Sequence, residues 1–327
     1  MPPAADRVVA SDAGPLARAR VSPLGDRAWA VGLTILGAAV LVIAGLILIE
    51  LGRESSPAWG RLGLLRFLLS SEWDPVQEKY GALPFVYGTL VTSAIAILVA
   101  LPVSVGLALF LQEMGPLALR RPVIFAIEVL AAIPSVIFGL WGLFVMVPWL
   151  RNGLQPVLQS TLGFLPLFQG PPIGLGYLAA GLILAVMILP TIASVTAEVL
   201  KTVPLALKEG ALALGATRWE AIRMAVLPYA RPGIAGATLL GLGRALGETM
   251  AVTMVIGNSP EIHASLFAPG YSLPAVIANE FAEATGALHV AALSGLGLVL
   301  FGLTLLLNAM ARVLIRAVAR GPRRARA

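Results

Sequence analysis

Apolar runs long enough to cross a lipid bilayer alternate along this chain with short polar segments. The hydrocarbon core is about 30 Å thick, so a spanning helix needs roughly 20 residues at about 1.5 Å each. Such runs fall at 28–49, 83–112, 122–147, 174–199, 232–256 and 287–313. The first carries no charge between Arg27 and Glu50 and is longer than the apolar region of a cleaved signal peptide, so it reads as a retained span. Pro102, Pro134 and Pro190 lie inside spans, where neighbouring helices can satisfy the freed carbonyls. The stretch from Asn152 to Ile173 is charge-free but rich in Gln, Gly and Pro, and reads as a loop or a re-entrant piece. Residues 1–27, with four prolines among small and charged residues, read as a disordered tail, and 314–327 as a basic one. The pattern predicts an all-α integral membrane protein of six transmembrane helices.

Composition agrees. Hydrophobic residues make up 58% of the chain and charged residues 12%, against about 25% charge in soluble domains, so much of the surface must face lipid. A net charge of +6 would suggest nucleic acid in a soluble protein, but here the arginines flank the apolar runs. With the N-terminus inside, 17 basic residues fall on the cytoplasmic side, among them Arg120, Arg121, Lys201, Lys208, Arg218, Arg223 and Arg231, and 5 on the outer side. The rule that cytoplasmic loops are rich in Lys and Arg therefore puts both termini inside. The chain has no Cys and only His263 and His289, which excludes disulfides, thiolate metal sites, a thiol nucleophile and a histidine metal cluster. It has no phosphate-cradling G-x-x-x-x-G-K-[ST] loop, so any ATP must be bound by another subunit, and no cofactor is expected here.

The longest cytoplasmic connection, Lys201 to Arg231, holds more structure than a linker. Pro204 suits the first turn of a helix through Leu205–Leu214, Gly215 can end it, and Thr217 can cap a second helix through Arg218–Val226. The apolar Leu205, Leu212, Leu214, Trp219 and Ile222 suit either an interfacial helix on the headgroup boundary or a plug for a partner's groove. Glu198 and Lys201 mark the junction with the fourth span as anchors.

In the fifth span Arg244 and Glu248 stand four residues apart, on one face of a continuous helix. A charge at such depth costs about 2.5–3.5 kcal/mol on an insertion scale, so both should face protein or water. They can be a neutralised pair locking helices together, or a positive field for an anion in transit with a carboxylate that prevents trapping. Gly241, Gly243, Gly247, Ala237 and Ala245 make small-residue stripes for close helix packing. Glu128, in the third span, can pair with Arg120 or Arg121 or line a pathway. His289 opens the sixth span as an interfacial residue.

The run Glu209-Gly210-Ala211, Gly215, Leu227-Pro228 resembles the EAA loop of type I ABC-importer permeases, with Gly210 in place of the middle Ala and Ala225 where that pattern has Ile. The resemblance implies a coupling helix that docks into an ATPase subunit, with Glu209, Ala211 and Gly215 in that role. The run from Leu242 to Thr253, followed by Val255-Ile256-Gly257-Asn258, is more specific. With Glu128–Ser135, Ile277–Ala284 and Gly286–Leu293 it resembles the PstC-type permeases of phosphate importers over roughly residues 80 to 312. That resemblance implies a type I ABC-importer permease core that moves inorganic phosphate by alternating access. It implies a homologous PstA-type permease, a dimer of PstB-type ATPases and an extracytoplasmic PstS-type binding protein as partners, in a bacterial inner membrane and without nucleic acid. Arg244, Glu248, Thr249 and Glu128 are then the expected pathway residues. A permease for molybdate or sulfate, or a secondary transporter, is the alternative.

Overall fold

The computed structural model describes residues 23–319, and the expectations for 1–22 and 320–327 lie outside them. The described residues are nearly all helical. Residues up to Glu50 form one unit and those from Leu51 a second. Five helices are long and apolar enough to cross a membrane, or six if one bent pair counts as a single span.

Helix α1 runs Pro23–Leu62, a full 40 residues, where the apolar pattern marks only 28–49. It therefore takes in residues 23–27 of the expected tail and continues for three turns past Glu50. None of residues 27–50 is buried. From Leu51 on, Ala58 and Trp59 pack with Phe67 of α2 (Leu64–Leu69). Helix α3 covers Leu83–Met114 and α4 covers Leu117–Ala132.

The third apolar run is corrected most. It is not one helix over 122–147. Ile133 and Pro134 are extended (ψ 128° and 143°), and α5 starts at Ser135 and continues to Leu162. Proline lacks the N–H and disfavours helical backbone at the residue before it, which accounts for the break. The stretch after Arg151, expected as a loop or re-entrant piece, is helical as far as Leu162 because Pro148 and Pro156 are accommodated. Each is preceded by a five-residue π turn, Gly142–Met146 and Leu150–Leu154, ending two residues before it. The π turns Phe110–Met114 and Ile222–Val226 likewise end two residues before Pro116 and Pro228. A widened turn relieves the clash between a proline ring and the carbonyl four residues back.

Helix α6 (Tyr177–Lys201) is the centre of the core. It pairs most extensively with α3, where a β-carbon at Gly181 would run into Ile95. The Ser104 hydroxyl donates to the Leu189 carbonyl at 3.0 Å across this contact. The first N–H groups of α6, which no helix can satisfy internally, are taken by carbonyls of a returning loop: Tyr177 by Ala268 at 3.2 Å and Leu178 by Leu266 at 2.9 Å. Helix α7 (Leu205–Ala213) and the start of α8 (Arg218–Gly247) make a hairpin, followed by α9 (Met250–Ile256), α10 (Leu273–Glu280) and α11 (Ala287–Ala319). The second hairpin arm and the fifth span are thus one helix, continuous through Pro228 and Pro232. Helix α11 carries six residues of the expected basic tail, 314–319.

Candidate functional site

Helix α8 ends at Gly247, and α9 leaves it at 64°. Glu248 between them is extended (φ −72°, ψ 127°), and its carboxylate accepts the Ala251 N–H at 3.3 Å, capping the new helix. The Thr249 hydroxyl donates to the Gly247 carbonyl at 3.3 Å, and that of Thr253 to the Thr249 carbonyl at 2.8 Å. This corrects the expectation that Arg244 and Glu248 share one face of a continuous helix: the bend separates them. The neutralised-lock reading loses its basis, because no carboxylate among the described residues pairs with Arg244, which stands exposed on the chain's surface.

The glycine stripe divides accordingly. Gly241, Ala237 and Ala245 face the core, and a β-carbon on Gly241 would strike Ile192 of α6. Gly243 and Gly247 have open space around them, so close helix packing is not their role within this chain.

Helix α9 packs on α5. A β-carbon at Gly139 would meet Met254 Sδ, the Ala251 Cα and the Met250 carbonyl. Glu128 sits exposed on α4, which has no buried residue, four residues before the helix ends at Ala132. It does not pair with Arg120, whose guanidinium instead donates to the carbonyls of Gly115 (3.4 Å) and Gln112 (3.5 Å).

The hairpin turn is fully satisfied. Gly215 is left-handed at φ +88°, its N–H goes to the Leu212 carbonyl at 3.0 Å and that of Ala216 to Ala211 at 3.2 Å, the two bonds of a Schellman ending. Thr217 then opens α8 with a capping box: its hydroxyl accepts the Glu220 N–H at 3.3 Å and the Glu220 carboxylate accepts the Thr217 N–H at 2.8 Å. Glu209 is exposed, Ala211 half-buried, and Leu205, Leu214, Trp219 and Met224 project outward. The hairpin root is apolar, with Ile222, Val226 and Ala230 against Leu109 and Ala197. Glu198 and Lys201 pair at 2.7 Å on the surface.

Two clusters escaped the sequence reading. Lys208 of α7 forms an ion pair with Glu113 at the end of α3, 95 residues away. At the opposite end, Trp73 Nε1 donates to Glu280 Oε2 at 3.0 Å, His289 Nε2 lies 3.1 Å from the same oxygen, and Tyr80 stacks on the imidazole. His289, at 12% side-chain exposure, is therefore held in place by Glu280 and Tyr80 where the sixth span begins. A cleft of about 430 Å³ opens beside it, lined by Glu78, Tyr80, Glu280 and Glu283. Burial, then the carboxylates of Glu78, Glu280 and Asp74, push the Tyr80 phenol above its ordinary value. Tyr271 nearby is pushed up to about 12, again chiefly by burial. No local pattern signals either cluster, since each joins segments distant in sequence.

Among solved structures, a chain of a bacterial alginate ABC transporter overlays this chain with a TM-score of 0.60 at 18% identity, covering 90% of this chain and 96% of its own. One from the MetNI methionine ABC transporter gives 0.52 at 22%, covering 73% and 95%. Both show the fold, that of type I ABC-importer permeases. Residues 104–324 match the family described as binding-protein-dependent transport system inner membrane component. The phosphate transport system permease protein PstC of Mesorhizobium japonicum is 51% identical over 84% of this chain and 85% of its own. Its namesake from Haemophilus influenzae is 50% identical over 84% and 88%, and the probable PstC of Methanocaldococcus jannaschii 38% over 83% and 88%. A multi-pass membrane protein with this fold, matched over most of its length, belongs to the binding-protein-dependent transport system inner membrane component family, among its PstC-type permeases.

Proposed function

We propose that this chain is one of two permease subunits of an ATP-driven importer of inorganic phosphate. It pairs with a homologous PstA-type permease, a PstB-type ATPase dimer seats against the hairpins, and a PstS-type binding protein delivers phosphate from outside. The membrane is the bacterial inner membrane, with both termini in the cytoplasm, the sense favoured by the charge bias.

The observation that carries the reading is Arg244: an exposed guanidinium without a carboxylate partner among the described residues, one turn before a helix break, in a protein half identical to phosphate permeases. A phosphate dianion leaving water loses much of its hydration. A guanidinium offsets that loss through a fork of donors matched to phosphate oxygens. Glu248, just across the bend, limits the field so that the ion is not trapped, and Thr249 and Glu128 are the further pathway residues of this reading. The second permease closes over this face.

The hairpin residues Glu209, Ala211 and Gly215 take up the motion of the ATPases. Helix α8 runs unbroken from the hairpin to the bend, about 45 Å at helical rise, and so delivers that motion to Arg244 in an alternating-access cycle. ATP is bound by the partner, and this chain holds no cofactor.

The test is uptake of radiolabelled phosphate by the four-component complex in proteoliposomes. ATP-dependent uptake that excess molybdate and sulfate fail to compete is expected. Preference for either competitor would replace the substrate, and uptake without ATP would make the chain a secondary transporter.

A further inference from the structure

We propose that the Lys208–Glu113 ion pair is a transmission strut that makes the first hairpin arm move together with the elbow between α3 and α4. The proposal rests on the coupling role given to the hairpin above. It adds a second route for motion, separate from α8, leading to the other helix break.

The placement of Glu113 calls for an explanation. It lies in the π turn that ends α3, where the helix macrodipole disfavours a carboxylate, and its side chain is only 9% exposed. Both features work against a charge there, so its counter-ion is integral to the site. That counter-ion is Lys208, 30% exposed, on α7, a helix with no buried residue of its own. Apolar burial therefore holds the second hairpin arm, through Ile222 and Val226, while the ion pair pins the first arm to α3.

The elbow that receives this contact is stiff. The Gly115 N–H donates to the Phe110 carbonyl at 2.6 Å, the Leu119 N–H to the Pro116 carbonyl at 3.0 Å, and Arg120 reaches back from α4 to the carbonyls of Gly115 and Gln112. A β-carbon at Gly115 would collide with the Phe110 carbonyl, so the turn is closely packed as well as bonded. Such an elbow passes displacement on to α4 instead of absorbing it. Helix α4 leads past Glu128 to the Ile133–Pro134 break. One hairpin thus drives both breaks: through continuous helix to Glu248–Thr249, and through Lys208–Glu113 to Pro134.

The absence of Cys makes the test direct. Spin labels at Leu119→Cys in α4 and Leu205→Cys in α7, both exposed positions, report the distance across the strut in the assembled complex. The expected result is a distance unchanged between nucleotide-free and ATP-trapped states with the native pair, and changed on trapping when Glu113→Gln and Lys208→Gln are combined. That double variant keeps side-chain size and leaves no charge unpaired. It should also transport about tenfold less substrate per ATP hydrolysed, equivalent to losing one decade of coupling, and the swap Glu113→Lys with Lys208→Glu should restore the ratio. A distance that changes on trapping in the native protein overturns the strut, as does a neutral pair with native distance behaviour and native coupling. The distance does not depend on which ion is carried. A complex that moves no phosphate yet keeps the strut distance constant defeats the substrate reading and leaves the strut standing.

Discussion

Helices α6 and α8 both contain proline and have opposite outcomes. Each follows a glycine-bearing turn; α6 carries Pro190, and α8 carries Pro228 and Pro232. Two thirds of the most apolar stretch of α6 is buried, and it crosses unbroken despite Pro190. Helix α8 tolerates Pro232, yet the chain turns by 64° some fifteen residues later, where no proline stands. Proline alone therefore does not decide where a span breaks. Pro190 is surrounded by packed side chains, whereas at Gly247-Glu248-Thr249 polar groups supply an alternative: a carboxylate caps the next helix, and a hydroxyl takes up a freed carbonyl.

The sharpest way to break this comparison is to insert bulk at matched glycines. Gly181→Leu places its β-carbon against Ile95 inside the α3–α6 contact, whereas Gly243→Leu enters open space. Overpacking typically costs about 1–3 kcal/mol and more where backbone must shift. Gly181→Leu should therefore yield little monodisperse protein in detergent, while Gly243→Leu keeps the unfolding temperature of the parent. Equal behaviour would mean that the buried and open faces have been assigned wrongly.

Arg244 gives the next largest effect, and it separates folding from transport. Because no carboxylate among the described residues pairs with it, Arg244→Gln should leave the unfolding temperature of the isolated subunit unchanged. Phosphate uptake by the assembled complex should nonetheless fall by about a hundredfold, corresponding to roughly 2.7 kcal/mol of lost ion stabilisation. A large drop in subunit stability would instead point to a structural partner within the chain.

The same contrast explains what the sequence made legible. Hydropathy located the first, second, fourth and sixth spans because burial in lipid is additive along a helix, and Gly215 and Thr217 announced their turn because helix endings are coded by the few residues that form them. The break after Gly247 was not legible, since a Glu in the middle of an apolar run reads equally as an i, i+4 partner or as a cap. Pro134 was visible, but its consequence depends on packing that hydropathy does not contain. The Lys208–Glu113 and Glu280–His289 pairs depend on which loops meet, which no local window reports.

At the hairpin, where coding is local, effects should be smaller. Gly215→Ala forces a β-carbon into left-handed backbone at φ +88°, at a cost of about 1–2 kcal/mol, with open space around it. The subunit should still fold. The ratio of uptake to ATP hydrolysis is the sensitive readout and should decline severalfold, and a native ratio would show that the turn geometry is not used in coupling.

The smallest effect contrasts two helix caps of the same chemistry. The Thr217 hydroxyl accepts the Glu220 N–H on an exposed surface, and the Ser272 hydroxyl accepts the Ala275 N–H at 3.4 Å where the residue is 3% exposed. Removing a cap typically costs about 1 kcal/mol, at the low end where water can replace the lost acceptor. Thr217→Ala should therefore shift the unfolding temperature least of all these changes and mainly speed hydrogen exchange at Glu220. Ser272→Ala leaves a donor that water reaches poorly and should lower the unfolding temperature more, although its bond is the longer of the two. If Thr217→Ala proved the more damaging, the hairpin would contribute to the stability of the whole subunit and could not be treated as a locally encoded attachment to the core.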